Sequence, residues 1–408
     1  MSATHAMQPA EADDRRTRAN ILRLAVAQAL AGANASVIFA TGAIIGSMLA
    51  PDPVFATVPI SIFVVGMAAG TLPNGYLSRH YGRRVAFMAG TGCGFVTGLL
   101  GALALLLGSF PLYTLATFCG GLYAAVVLSF RFAAADGASD RLRQKAVSWV
   151  MAGGIFAGVI GPQLVTWTMG IWSPYTFAAS YLAQAGVALM AMAVLSGVDL
   201  PRPAAALTGT GGRPLLEIVR QPRFVTAVIC GVVSYLLMNF LMTSAPLAMR
   251  MCGLPISVSN FAIQWHIVAM YAPSFFTGTL IARFGAARVV TVGLLMLVGC
   301  VAVALSGQSL GHFSGAMILL GLGWNFGFVG ASSMVLETHR PEERHKVQAL
   351  NDFLVFGTIA VGSFLSGNLL VNYGWSVVNY VALPPIAVAL VTLAIAAESR
   401  PRTMRVRS

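Results

Sequence analysis

The side chains in this sequence that could do chemistry are neutral amides and aromatic rings placed inside long apolar runs. Near the middles of four of these runs lie Asn34, Tyr123, Asn239, Trp324 and Asn325. Amides donate and accept hydrogen bonds, and aromatic rings offer flat apolar faces for stacking. Together they suit a planar, hydrogen-bonding and mostly uncharged small molecule. Taken singly, each amide could instead bridge neighbouring helices, as polar residues in membrane bundles often do.

Three further polar side chains lie in other apolar runs: Gln163, Gln264 and His266. The ordinary pKa of histidine lies near neutrality, so His266 could carry a proton, although a lone histidine in an apolar run is more often simply hydrogen-bonded. No aspartate or glutamate stands at the middle of a run, and no acid, base or metal-ligand set shares one depth. We therefore predict no catalytic residue, no metal ion and no cofactor.

The composition excludes most soluble functions. Of the 408 residues, 57% are hydrophobic and only 9% are charged, whereas about a quarter of the residues of a soluble domain are charged. So few charges cannot cover a chain of this length with polar surface. The net charge of +12 would suit a nucleic-acid binder. The positions of the charges explain it better, and we expect no nucleic-acid partner.

The apolar residues fall into twelve runs, most of them long enough to cross a bilayer as helices of about 20 residues. The predicted spans, numbered one to twelve, cover residues 20–49, 54–78, 85–107, 111–133, 146–168, 174–197, 224–248, 257–282, 289–306, 311–336, 347–370 and 375–397. The sequence thus predicts an all-α membrane protein with twelve transmembrane helices.

The basic residues test this count. Every lysine and arginine except Arg250 falls on one side of the predicted spans. Loops rich in lysine and arginine stay in the cytoplasm, so both termini are predicted to be cytoplasmic and the protein to be a multi-pass component of the lipid bilayer.

A short basic turn occurs twice, at residues 75–87 and 278–290. Each copy carries a glycine, a leucine two residues later and a second glycine seven residues after the first. Such a repeat at half the chain length indicates two related, pseudo-symmetric bundles in tandem. The predicted organisation is a cytoplasmic tail (1–19), a six-helix bundle (20–197), a cytoplasmic linker (198–222), a second six-helix bundle (223–397) and a basic tail (398–408).

The first copy resembles the signature of the major facilitator superfamily, Gly-x-x-x-Asp-Arg-x-Gly-Arg-Arg, which stands between spans two and three. The matching residues are Gly75, Gly82, Arg83 and Arg84. Arg79 occupies the usual acidic position and His80 that of the usual arginine, so the match is altered. With two sets of six spans, the resemblance covers nearly the whole chain. Segments 28–46 and 350–353 also look like those of a bacterial group of the superfamily that includes riboflavin importers.

The resemblance implies a secondary transporter, active or facilitative, whose two halves rock about one central site by alternating access. In that fold, spans one, four, seven and ten line the cavity. This would place the five central side chains around a small-molecule substrate, with the two glutamines and the histidine beside it. Since one chain encloses a whole cavity, we expect a monomer in the inner membrane, and uptake of a flavin is among the functions that the resemblance implies.

Several alternatives stay open at this point. An exporter of drugs or metabolites, working by proton antiport, would have the same architecture. The lack of a carboxylate in the middle of the membrane argues against proton coupling, so a facilitator or an anion-driven exchanger also fits. A membrane-embedded receptor or enzyme is the alternative of a different class. Its expected marks, a soluble domain or a set of catalytic groups, are absent from the sequence.

Charged residues at the cytoplasmic ends of the spans are candidate gates. Arg79 and Asp352 form the first candidate ion pair, because the family fold brings spans two and eleven together at the cytoplasmic side. Alternatively, Arg79 is only a topology signal and Asp352 stabilises the start of its helix.

A second candidate gate lies at the end of span four. Arg131 and Asp136 stand five residues apart there, and Arg83 is expected to join them. In the second half Glu337 is expected to play the corresponding role with Arg283 or Arg288.

Overall fold

The computed structural model describes residues 7–136, 140–199, 212–340 and 343–398. These ranges contain helices and no strand. The α-helices are α1 (Met7–Leu49), α2 (Val58–His80), α3 (Arg83–Leu107), α4 (Phe110–Val127), α5 (Phe130–Asp136), α6 (Asp140–Thr168), α7 (Ala178–Ser196), α8 (Leu215–Val219), α9 (Pro222–Met251), α10 (Ile256–Tyr271), α11 (Ser274–Phe284), α12 (Ala286–Ser306), α13 (Leu310–Trp324), α14 (Gly330–Leu336) and α15 (Arg344–Glu398).

The predicted twelve spans are consistent with these helices. Ten helical segments of the described ranges are long and apolar enough to cross a membrane, and α10 with α11 forms one further span bent by 42°. One of the ten segments runs over 47 residues of α15. That helix breaks at Gly374, whose φ of 80° is a left-handed value that favours glycine. Each part is long enough to span by itself, which brings the count to twelve.

The chain forms two compact units. The first consists of Met1–Ala50 and Ile62–Ala206, and the second of Pro51–Ser61 and Leu207–Ser408. In the first unit α1 packs mainly against α6, and α3 packs against α4 and α7. In the second unit α9 packs mainly against α15, while α13 packs against α10 and α12. The first turn of α2 therefore groups with the second unit, while the rest of that helix belongs to the first.

Glycine allows the closest helix contacts in the first unit. A Cβ atom added to Gly121 of α4 would overlap the backbone of α2 at Phe63 and Gly66, and one added to Gly101 of α3 would overlap the ring of Tyr181. Without a driving force from water between membrane helices, such close backbone approach supplies the packing that holds them together. The glycine-rich composition of the predicted spans thus has a direct structural use.

Besides the bent span eight, three predicted spans are less regular than their apolar patterns suggest. Span four is divided between α4 and α5, and span six begins as a helix only at Ala178, after a segment of turns. In span ten a π-helical segment, Asn325–Val329, lies between α13 and α14. Hydrophobic patterning predicts length and burial, but these breaks depend on backbone hydrogen bonding, which the pattern does not report.

Candidate functional site

Five aromatic side chains meet in the second unit, and we call them the aromatic cluster: Tyr235, Tyr271, Trp324, Phe328 and Phe356. The centre of the cluster is Tyr235, whose ring makes edge-to-face contacts with Trp324 (5.5 Å between centroids), Phe328 (4.9 Å) and Phe356 (5.8 Å). Trp324 stacks on Phe328 at 5.4 Å with an interplanar angle of 18°. Such distances are those of favourable aromatic pairs.

The cluster draws on four spans. Tyr235 comes from α9, Tyr271 ends α10, and Phe356 lies on α15. Trp324 is the last residue of α13, and Phe328 follows four residues later within the π-helical segment. The four-residue spacing places the two rings on one face, and their stacking confirms it. Trp324 was predicted as a site residue from its type and position, whereas the other four rings were not.

Two buried hydrogen-bond donors accompany the rings. Asn239 lies four residues after Tyr235 on α9, hence on the same face of that helix. Its side chain is 1% exposed, and its Nδ2 has no hydrogen-bond partner among the described residues. The indole Nε1 of Trp324, a residue 6% exposed, is likewise unpartnered there. Buried donors normally have hydrogen-bond partners. A bound ligand could therefore accept hydrogen bonds from these two orphan donors, which have no partner of their own in the described part of the structure.

Asn325, the neighbour of Trp324, has a different environment. It is fully buried, and its amide donates to the carbonyl of Met270 and to the hydroxyl of Ser274. The hydroxyl of Thr277 donates to its Oδ1. Its amide is therefore engaged with span eight, while its role as a substrate residue stays a prediction.

In the first unit, Asn34 and Tyr123 line a narrow void that leaves no room for a water molecule. Asn34 donates to the carbonyl of Gly120 at 3.3 Å and accepts a hydrogen bond from Gln184. Tyr123 is 1% exposed, and its hydroxyl has no partner among the described residues. In this conformation Asn34 bridges helices, as the alternative interpretation supposed, and the ligand roles of both residues stay predictions.

The residues predicted to flank the site take up different positions. His266 is fully buried, and its Nδ1 donates to the carbonyl of Met317 at 2.8 Å, which ties α10 to α13. Its Nε2 has no partner among the residues that the structure describes. Gln163 on α6 and Gln264 on α10 are half-buried, and both make polar interactions.

The predicted gate residues are only partly described. Asp352 is exposed and accepts a hydrogen bond from Asn351 at 3.2 Å. Because α15 begins at Arg344, Asp352 lies two turns inside the helix, where the helix dipole no longer acts and the alternative role at a helix start does not apply. The side chain of Arg79 lies outside the described part of the structure, so the pair with Asp352 stays a prediction.

The residues of the second predicted gate are also only partly described, so its ion pairs stay predictions. Arg83 and Arg131 are half-buried and each has an interaction partner, and Glu337 is exposed just after α14. The side chain of Asp136 lies outside the described residues. The described residues also contain no group of three histidine, cysteine, aspartate or glutamate side chains that could hold a metal ion.

The sequence did not predict a buried ion pair at the end of the linker. Glu343 is completely buried, and the guanidinium of Arg213 donates to both of its carboxylate oxygens, at 2.9 and 2.8 Å. The backbone amides of Arg213 and Arg340 also donate to this carboxylate. These contacts fix the linker residues before α8 to the loop after span ten. The Arg213 guanidinium holds the pKa of the Glu343 carboxyl well below its ordinary value.

We expect Glu343→Gln to lower the melting temperature at pH 7. Because the pKa of Glu343 is lowered in the folded protein, the pair stabilises above the ordinary glutamate pKa of about 4.3, and this contribution is lost as the pH falls towards the folded value. The difference in melting temperature between wild type and variant should therefore shrink below about pH 4. Thermal unfolding of both proteins in detergent across this pH range measures this difference in melting temperature. Glu337→Gln, which changes an exposed carboxylate, is the control, and an undiminished difference in acid would contradict the assignment.

Known proteins of similar sequence are transporters. The chain is 44% identical over 379 residues to the riboflavin transporter RfnT of Brucella anthropi, covering 92% of this chain and 95% of that protein. It is 31% identical to the uncharacterized MFS-type transporter YdeG of Bacillus subtilis, with 84% of each chain covered.

Solved structures of similar fold include transporters. The xylose transporter XylE of E. coli, in a partially occluded inward-open conformation, superposes with a TM-score of 0.71 over 95% of this chain and 98% of its own, at 13% identity. A bacterial homologue of the lysosomal transporter Spinster superposes with a TM-score of 0.68 over 93% of this chain and 96% of its own, at 14% identity. The sequence model of the Major Facilitator Superfamily matches residues 24–272 and 227–408. The chain is thus a multi-pass transmembrane transporter and not an enzyme, and it belongs to the major facilitator superfamily.

Proposed function

We propose that this transporter imports riboflavin, or a flavin of the same planar type. The observation that carries the proposal is the 44% identity to a riboflavin transporter over 95% of that protein's length. Two proteins this similar over nearly their whole lengths share a cavity of the same general shape. The aromatic cluster adds a second, independent support, because its chemistry fits the same class of molecule.

The chemistry of a flavin matches the groups around the cluster. Its isoalloxazine ring is planar, uncharged and polarisable, so it stacks on aromatic faces such as those of Trp324 and Phe328. Its two carbonyl oxygens accept hydrogen bonds at the ring edge, and the orphan donors of Asn239 and Trp324 could satisfy them. A charged substrate would need a compensating charge in the membrane, and the cluster contains none.

Uptake by whole cells tests this function. A bacterium that neither makes nor imports riboflavin should grow on micromolar riboflavin when it produces this protein, and it should accumulate labelled riboflavin with saturable kinetics. Accumulation no faster than in cells without the protein, at equal protein abundance in the membrane, would refute the proposal. Faster loss of preloaded riboflavin would instead identify an exporter.

We expect Asn239→Leu to weaken transport while stabilising the protein. Leucine has the same branching pattern as asparagine, although it is larger, and it removes a buried donor that lacks a partner. A buried unsatisfied polar group costs about 1–3 kcal/mol. If the amide serves the substrate, the KM for riboflavin should rise by roughly tenfold while the melting temperature without ligand rises. Asn379→Leu is a suitable control, since Asn379 is also buried but donates to the carbonyl of Trp375. An unchanged KM in Asn239→Leu would remove this residue from the site.

The location of the protein, its oligomeric state and its coupling to protons are proposals as well. The one-sided distribution of lysine and arginine supports a location of both termini in the cytoplasm. We propose the inner membrane as the site, since this is the bacterial membrane that faces the cytoplasm. We propose a monomer, because the fold needs one chain to form its cavity.

His266 is the candidate residue for carrying a coupling proton. Uptake into vesicles with and without a proton gradient tests this role. A His266→Gln variant that keeps gradient-driven uptake would exclude that role.

A further inference from the structure

Span eight is interrupted where it passes the aromatic cluster. Helix α10 ends at Tyr271, α11 starts at Ser274, and the two are bent by 42° around Pro273. Proline lacks an amide hydrogen and cannot continue the hydrogen-bond ladder of a helix. The last carbonyls of α10 therefore need donors from elsewhere, because an unsatisfied carbonyl in a membrane is costly.

Asn325 of span ten supplies a donor to this break. Its Nδ2 lies 2.7 Å from the carbonyl oxygen of Met270 and 2.8 Å from the hydroxyl of Ser274, one residue on each side of the interruption. Its Oδ1 lies 2.6 Å from the hydroxyl of Thr277, in the first turn of α11. One fully buried side chain thus connects the end of α10 to the start of α11. We call these three hydrogen bonds the Asn325 clasp.

The π-helical segment places Asn325 there. Asn325 is its first residue and directly follows Trp324. Gly327, in the same segment, allows a close approach to α9, because a Cβ atom there would overlap the hydroxyl of Ser234. Single π-helical turns inside α-helices occur frequently at functional sites. Here the turn is confined by α9 on one side and joined to span eight by the clasp.

The clasp and the aromatic cluster share their framework. Trp324 precedes Asn325, and Phe328 lies three residues beyond it in the same segment. Tyr271, whose ring lies 6.3 Å from that of Trp324, follows the clasped Met270 directly. Any shift of span eight against span ten would therefore move Tyr271 relative to Trp324 and Phe328.

We propose that Asn325 is a positioning residue for substrate recognition: through its clasp on the break in span eight, it fixes the relative orientation of Tyr271, Trp324 and Phe328 for a planar aromatic substrate. The proposal deepens the riboflavin-import function and rests on it for the identity of the substrate. In this role Asn325 acts through the three rings and does not contact the substrate. A change at Thr277, whose hydroxyl lies against Asn325 and also 2.8 Å from the carbonyl oxygen of Pro273 at the break, should therefore have the same kind of effect.

Riboflavin uptake kinetics test the proposal. We expect Asn325→Ala to raise the KM about tenfold and Thr277→Val about threefold, with the maximal rate per transporter within twofold of wild type. Thr277→Ser, which keeps the hydroxyl, should restore the wild-type KM. Thr41→Val removes a buried hydroxyl of the first unit and should leave the KM unchanged. An unchanged KM in Asn325→Ala, with riboflavin transported normally, would overturn the proposal and leave the proposed function intact.

A second measurement needs no substrate and therefore separates the two claims. Hydrogen–deuterium exchange of the purified protein should be faster in peptides covering residues 268–277 in Asn325→Ala and Thr277→Val than in wild type or Thr41→Val. If wild type failed to transport riboflavin, the proposed function would fall, and faster exchange would still support the clasp. Unchanged exchange at the break in both variants would overturn it whatever the substrate.

Discussion

Cross-linking Ser61→Cys to Ser363→Cys is expected to reduce riboflavin uptake to background. The two serine hydroxyls lie 3.0 Å apart, and both side chains are fully buried. Side chains this close are candidates for a disulfide between two cysteines, and the extent of its formation is measured directly. Ser61 belongs to the part of α2 that groups with the second unit, while α2 continues into the first unit from Ile62. Because the rest of α2 belongs to the first unit and would move with it during alternating access, a covalent bond that holds the start of α2 on α15 should stop the cycle.

The two single-cysteine variants and a reducing agent provide the controls for this arrest. The five native cysteines are first replaced, and each single variant is oxidised in parallel. Both single variants should keep transport, and a reducing agent should restore it in the double variant. Full uptake in a double variant whose disulfide has formed completely would show that this contact does not open during transport.

Replacing Trp324 by alanine is expected to raise the KM for riboflavin by about 5- to 150-fold. Stacking of a nucleobase-like ring on an aromatic side chain contributes about 1–3 kcal/mol, which corresponds to this range. The substitution also removes the orphan indole donor and the contacts with Tyr235 and Phe328. Trp324→Phe keeps a stacking face but loses the donor, so its KM should lie between those of wild type and Trp324→Ala.

A tryptophan elsewhere in the chain separates recognition from general stability. Trp167 is 73% exposed, and Trp167→Ala should leave the KM unchanged. Quenching of tryptophan fluorescence by riboflavin gives the affinity in the absence of transport. If Trp324→Ala bound riboflavin as tightly as wild type, the aromatic cluster would not be the substrate site.

Much of the architecture was predictable because it follows from solvation. Runs of about 20 apolar residues have no stable place other than a bilayer, and the spans follow from length alone. The breaks within spans were not predictable in the same way. Pro162 lies inside an unbroken α6, whereas Pro273 separates α10 from α11. The two prolines look alike in the sequence. At the second, the buried amide of Asn325 donates to the interrupted backbone at Met270.

The candidate site was predictable in part. Asn239 and Trp324 stood out because polar or aromatic side chains in the middle of a span are conspicuous. Tyr235 and Phe328 were missed, although each lies four residues from one of them, a spacing that shares a helix face and could have revealed both. The pair of Arg213 and Glu343 could not have been found, because its members are separated by 130 residues and no periodicity relates a linker to a distant loop.

The most direct test of the account is riboflavin transport by the purified protein in proteoliposomes. Vesicles containing the wild-type protein should take up labelled riboflavin with saturation, and unlabelled riboflavin inside should accelerate entry by exchange. Vesicles with Trp324→Ala should need a far higher concentration for the same rate. No riboflavin uptake by a folded, correctly inserted wild-type protein would contradict the account, as would equal uptake by the Trp324→Ala variant.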